Sequence, residues 1–215
     1  MSDARDLLQY DEDLSVAVKE GSSDVFYNDS ILHAFIIMKY LIHKARKDEE
    51  KQISIFCGNF SLFRDETKRK IQKEKDDYSI DKLSEEEIEK WNQWDLFHDL
   101  QKELKEFLNE SQAKFNLIMT RGIESLRKNE VWEILKFGID KNRLSIYLLD
   151  EGLKLDHFAV TTDAYRLENS DEYKKATCCF GDRKGADILN SNFDILLRYS
   201  SRVYPQESRA RDDFR

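Results

Sequence analysis

Phe115-Asn116-Leu117-Ile118-Met119, a break at Gly122, an amphipathic run over residues 123–137, Gly138, and then Arg143-Leu144-Ser145-Ile146-Tyr147-Leu148-Leu149: this stretch decides the fold. Each flanking segment is a short apolar run rich in strand-forming residues, as expected of a strand buried on both faces. The middle repeats apolar residues at helical spacing, and Gly138 reads as its stop. A strand, a helix and a strand in that order favour parallel pairing through a right-handed crossover.

Working upstream, Gln52-Ile53-Ser54-Ile55-Phe56-Cys57-Gly58 repeats the buried-strand pattern. Before it, Asn28-Asp29-Ser30 offers three helix caps in a row, and residues 31–46 follow as a broadly apolar helix. Lys44, Arg46 and Lys47 suit the negative pole of that helix. At the start of the chain, the alternation Leu14-Ser15-Val16-Ala17-Val18 suggests a short strand that Gly21-Ser22-Ser23 breaks.

Residues 64–112 are rich in Lys and Glu and read as a helical excursion. Ser84 with Glu87 forms a capping-box pattern, and Ile88, Trp91, Leu96, Leu100, Leu104, Phe107 and Leu108 recur near the helical period. Either one face of this excursion packs on the core, or Trp91 and Trp94 anchor a partner.

Downstream, residues 157–162 and 164–168 flank Asp163 as two strands with a tight turn, or one bent strand. Ala176-Thr177-Cys178-Cys179-Phe180 is a further strand, broken at Gly181-Asp182, and residues 184–198 make a closing helix. Residues 201–215 read as a flexible polar tail, leaving residues 1–200 as a single domain.

Composition agrees with this architecture. Seven Gly and one Pro in 215 residues are too few for the many turns of an all-β sandwich, and point to long helices. The expected class is therefore α/β, a layered mixed sheet flanked by helices. A net charge of −8 gives no general pull toward nucleic acid, so such binding would need a local basic patch. Cys57, Cys178 and Cys179 are odd in number, and two are adjacent, so they read as reduced thiols rather than a disulfide framework or a zinc site. No apolar run is long enough for a membrane span, and the charged start Met1-Ser2-Asp3-Ala4-Arg5-Asp6 is no secretory signal. The expected location is the cytoplasm, with no membrane contact.

Four features of the second half fall in a suggestive order: a strand, His157 at the start of another, Asp163 six positions later, and a small-residue strand ending in Phe180-Gly181-Asp182. This order resembles the phospholipase D superfamily, with its His-x-Lys-x(4)-Asp motif and its Gly-Ser-x-Asn-type strand leading into a helix. Asn28-Asp29-Ser30, the helix bearing His33-Ala34, and the strand from Ile53 to Phe60 resemble the opening of a single-motif member. The resemblance covers most of residues 25–200, with 64–112 as a helical insertion.

The resemblance implies that His157 is the nucleophile, forming a phosphohistidine, with Lys and Asn groups holding the phosphate oxygens. This chain departs from the pattern. The lysine position is Ala159, Asp163 is off the family spacing, and Thr177 and Cys179 stand where Ser and Asn are expected. Arg166 is the candidate replacement cation, and Glu168 is placed to pair with it and silence it. The candidate catalytic residues are thus His157, Asp163, Arg166 and Glu168. Read without the resemblance, His157 is a structural histidine, Asp163 is ordinary turn chemistry, and Arg166 with Glu168 is an ion pair on a strand. His33 reads as a satisfied buried histidine; His43 and His98 fall on exposed helix.

No phosphate loop, dinucleotide-binding glycine motif or nucleophile elbow is present, so no cofactor or metal is expected. The expectation is a catalytically degenerate phospholipase D-like module, an interaction or sensor subunit of a bacterial defence or toxin-type complex, with a protein partner or a homodimer. The alternatives are an active phosphodiesterase or nuclease, which as a single-motif member would dimerise to bring two histidines together, and an unrelated α/β domain.

Overall fold

The computed structural model describes residues 3–149, 155–168 and 175–205. Its centre is an eight-stranded mixed sheet in the order β1-β7-β6-β5-β2-β3-β4-β8. The parallel block is β2 (Gln52–Cys57), β3 (Lys114–Met119) and β4 (Leu144–Leu148). On one side β5 (Phe158–Val160), β6 (Tyr165–Glu168), β7 (Ala176–Cys179) and β1 (Val25–Asn28) extend it as an antiparallel meander. β8 (Ser201–Tyr204) closes the other edge, antiparallel to β4. The expected layered α/β class is the observed one.

One sheet face carries nearly all the helices. α2 (Ile31–Lys47) lies at its centre, capped by Ser30, whose hydroxyl accepts from the His33 N–H at 3.1 Å. Leu32, Phe35, Ile36, Ile37, Leu41 and Ile42 are all fully buried. Such all-round burial explains why its apolar stripe is too wide for a surface helix. α3 (Asp65–Asp76), α4 (Glu85–Gln93) and α5 (Leu96–Asn109) form the excursion, and α4 has the expected Ser84–Glu87 capping box. α5 is no appendage. Leu100, Leu104, Phe107 and Leu108 are fully buried, and α5 packs along α2 and the sheet. Trp91 is only 5% exposed, packed between the rings of Tyr78, tilted against it, and Trp94, edge-on to it. It is therefore part of the core and not an available anchor for a partner.

Three local expectations are corrected. The suggested strand at 14–18 is the end of α1 (Ala4–Glu20), capped by Asp3 and stopped by left-handed Gly21. Leu7, Leu8, Leu14 and Ala17 share its buried face, so the 3.6 period overrides the short alternation. The crossover helix at 123–137 is two pieces, α6 (Ile123–Leu126) and α7 (Trp132–Asp140). Gly138 lies inside α7; the left-handed residue after it is Asn142. Gly138 is there for close approach, since a methyl would sit 3.0 Å from both Leu108 methyls and 3.1 Å from Leu144 Cβ. Gly138→Ala should therefore cost about 1–3 kcal/mol by overpacking, despite alanine's better helix propensity. Chemical denaturation would measure it, and a stabilised variant would contradict this packing. Lastly, residues 201–204 are not tail but strand β8, whose Tyr204 ring packs on Trp132 at 5.5 Å. Residues 206–215 of the expected tail lie outside the described residues.

On the opposite face, α8 (Arg183–Arg198) packs across β2, β5 and β6. Its buried side, Ala186, Leu189, Phe193 and Leu196, forms a second cluster with Phe56, Phe158 and Val160. Asp182 caps it, accepting from the Gly185 N–H at 3.0 Å. No helix among the described residues is long and apolar enough to cross a membrane.

Candidate functional site

The carboxyl ends of β2, β3 and β4 lie along one edge of the sheet, where open α/β sheets place their ligand sites. His157 stands on that edge. It precedes β5, whose Phe158 pairs with Phe56, so His157 falls beside Cys57 at the end of β2. Because β6 runs antiparallel to β5, Glu168 falls opposite His157, and its N–H donates to the His157 carbonyl at 2.8 Å. Arg166 lies two residues back on the same side of β6, directly across from Ala159.

These three side chains form one chain of contacts. His157 Nδ1 lies 3.0 Å from Glu168 Oε2, and Arg166 Nη1 donates to Glu168 Oε1 at 2.6 Å. Both carboxylate oxygens are thus engaged. The contact fixes the imidazole, with Nδ1 toward the carboxylate and Nε2 left for the cavity side. Nε2 lies over Gly58, where even a methyl would come within 3.4 Å of the ring. The imidazole also meets the Phe56 ring edge-on at 5.8 Å.

A cavity of about 100 Å³ opens here, lined by His157, Arg166, Glu168, Cys57, Met38 of α2, and the loop of residues 58–62. Phe60, in that loop, adopts a left-handed conformation with φ 46°, uncommon for an aromatic residue. Its buried ring packs on Phe115. Burial pushes the Cys57 thiol up to about 12, against a small opposing effect of the Phe60 N–H. Cys57 is therefore a neutral thiol at physiological pH and a poor nucleophile.

Burial alone would raise the Glu168 carboxyl, but the His157 hydrogen bond and the Arg166 charge outweigh it and hold the group at about 2. That is below the ordinary glutamate value of about 4.3. The pairing therefore stabilises the fold above about pH 4, and the stability is lost as pH falls toward 2. Glu168 is 38% exposed, so screening limits the contribution to roughly 1 kcal/mol. Stability measured from about pH 5 down to about pH 2.5 should fall more steeply in the wild type than in Glu168→Gln. Parallel curves would contradict the pairing.

Three of the four candidate residues are brought together: His157, Arg166 and Glu168. Asp163 is not with them. It sits in the turn at the other end of β5 and β6, about 13 Å of strand from His157, where Lys44 Nζ binds it at 2.8 Å. Lys44 also holds Asp48 at 2.9 Å, so Asp163 ties the sheet to the end of α2. His33 behaves as a satisfied histidine, with Nδ1 3.0 Å from Asp29 and its ring against Tyr10, and burial lowers its pKa. His43 is not free on a helix surface but pairs with Glu103 at 3.2 Å. Met38 and the 58–62 loop were missed as lining residues, because nothing in their residue types marks them. No cluster of metal-ligating residues occurs among the described residues.

No protein-family model matches the chain, and no curated protein does. Solved structures do. One is TrmBL2, an archaeal chromatin protein whose structure is described as showing a novel mode of DNA binding, at 11% identity and a TM-score of 0.51. The match covers 89% of this chain and 60% of that one, so the chain spans less than two thirds of that protein. Another is Nuc from Salmonella typhimurium, a phospholipase D family member, at 8% identity and a TM-score of 0.46, covering 85% of this chain and 97% of that one. At such identities the likeness to the chromatin protein is one of fold alone.

Proposed function

We propose that this chain is a phospholipase D-like module that has lost phosphodiester cleavage and works as a binding or sensing subunit of a larger complex. A defence or toxin-type assembly with a protein partner is the setting the sequence resemblance suggests, and the cytoplasm is the location its charged start and lack of a long apolar run suggest. One observation carries the loss of chemistry. Arg166, the cation among the cavity-lining residues, is 9% exposed and committed to Glu168 at 2.6 Å. A phosphodiester needs positive charge where negative charge builds up, and each missing donor costs about 100- to 1000-fold in rate. The family's lysine position is Ala159, which is 2% exposed and directly across from Arg166, so it offers no replacement. Metal-free hydrolysis of bis-p-nitrophenyl phosphate is expected to be no faster with the wild type than with His157→Ala. Turnover that disappears with His157→Ala would overturn the proposal.

A second reading, an active phosphodiesterase, is favoured by one detail. Glu168 holds His157 Nδ1 and leaves Nε2 toward the cavity, the arrangement a nucleophilic imidazole needs. Nucleic acid is the substrate suggested by the DNA binding described for the archaeal chromatin protein. The net charge of −8 weighs against it, which is why the binding-module reading is preferred.

A further inference from the structure

The cavity beside His157 is apolar where it is buried and polar where it is exposed. Met38, Ile55, Phe56, Phe60 and Ala159 line it and are each at most 4% exposed. His157 and Glu168 line it too, with side chains 41% and 38% exposed. Apolar walls with a few placed polar groups are the usual make-up of a site for an organic group. The space exists because position 159 carries only a methyl; a longer side chain there would fill it.

Its charges cancel. Arg166 and Glu168 neutralise one another across 2.6 Å. An entering anion meets the Glu168 carboxylate and an entering cation meets the guanidinium, so an uncharged group is favoured. Two hydrogen-bonding positions stay open among the described residues. One is the Arg166 Nε–H, which is buried and has no partner. Such a donor is destabilising until an acceptor reaches it. The other is His157 Nε2, the ring nitrogen that Glu168 does not engage. With Nδ1–H turned to the carboxylate, Nε2 of the neutral ring carries the lone pair and accepts.

Size narrows the class further. Benzene, with its six non-hydrogen atoms, occupies an engineered cavity of about 150 Å³. In proportion, a cavity of about 100 Å³ takes roughly four. A nucleobase ring system is larger than that. A primary carboxamide on one carbon matches it, and its oxygen and NH2 answer the open donor and the open acceptor together.

We infer that the cavity is a socket for a primary carboxamide, either the head of a glutamine or asparagine side chain on a protein partner or a small free amide. The amide oxygen accepts from Arg166 Nε, the NH2 donates to His157 Nε2, and the carbon stem lies against the apolar lining. This inference rests on the reading that Glu168 silences Arg166, and it gives the binding module its ligand.

Acetamide titrated into the isotope-labelled full chain tests it, followed by NMR at His157 Nε2 and at the Gly58 and Asn59 amides. Saturable shifts are expected in the millimolar range, since about four atoms bind no tighter than about 0.05 mM. Acetate, equal in size but charged, should need about tenfold more or fail to saturate. Ala159→Leu fills the space, and His157→Phe keeps a ring without its nitrogens. Each should remove the response at Gly58 and Asn59, and a dispersed spectrum from either variant shows that it has folded. A blocked Gly-Gln-Gly peptide that binds more tightly than acetamide, with Gly-Glu-Gly inert, assigns the socket to a partner's side chain; equal binding assigns it to a free amide. Acetate binding as well as acetamide, or acetamide shifts that persist in both variants, would overturn the inference. Silence toward acetamide and inorganic phosphate alike sinks the socket and leaves the silenced charge standing, whereas a phosphate response lost in His157→Ala sinks both.

Discussion

Phe107→Ala is expected to lower the free energy of unfolding by about 3–5 kcal/mol, the range for truncating a fully buried aromatic ring. Phe107 is completely inaccessible and stands 6.3 Å from Phe115 of β3, where α5 meets the sheet. Its removal leaves a cavity under the parallel block that carries the candidate site, and close-packed neighbours collapse into such a space only in part. Urea titration followed by circular dichroism measures the effect. A loss below about 1 kcal/mol would mean that α5 is peripheral, as a dispensable insertion would be. The same experiment on Leu104, also fully buried, should give about 2–5 kcal/mol.

Gly181→Ala should also be severe, for a different reason. Gly181 sits where β7 turns into α8, and a methyl on it would land on the Gly21 carbonyl oxygen at the end of α1. The nearest atoms are backbone on both sides, so no side chain can swing away. Gly21 itself is held by its left-handed conformation at φ 62°. Overpacking of this kind costs about 1–3 kcal/mol and sometimes more. The expected outcome is a thermal midpoint lowered well beyond that of Gly138→Ala, where the methyl meets side chains. Equal midpoints would contradict the close contact between α1 and the β7–α8 turn.

The parts of the fold that were legible are those with long, uninterrupted signals. β2, β3 and β4 are buried on both faces and read as apolar runs; α2, α5 and α8 announce themselves by caps and period. α1 was hidden because Leu14-Ser15-Val16-Ala17-Val18 satisfies a strand pattern over five residues, and only the more distant Leu7 and Leu8 reveal the helix. β8 was hidden because Val203 and Tyr204 are two apolar residues in a polar stretch; it is a strand by virtue of its pairing with β4. At the candidate site, the grouping of His157, Arg166 and Glu168 follows from strand parity. Residues 157 and 159 share a face of β5, residues 166 and 168 share a face of β6, and a tight turn brings them opposite one another. The same geometry places Asp163 at the far end of the hairpin, which spacing along a motif conceals. Trp91 was misleading because a tryptophan on a charged helix looks exposed until the neighbouring Tyr78 is known.

The most direct test concerns the charge at the cavity. If Glu168 consumes the positive charge of Arg166, the wild type should show no saturable binding of inorganic phosphate by isothermal titration calorimetry at submillimolar concentrations. Glu168→Gln, which leaves the guanidinium without its counter-ion, should acquire such binding, and Arg166→Gln added to it should abolish it again. Submillimolar phosphate binding by the wild type that is lost in His157→Ala would mean that the cavity still grips phosphate, and the account of a silenced site would be wrong.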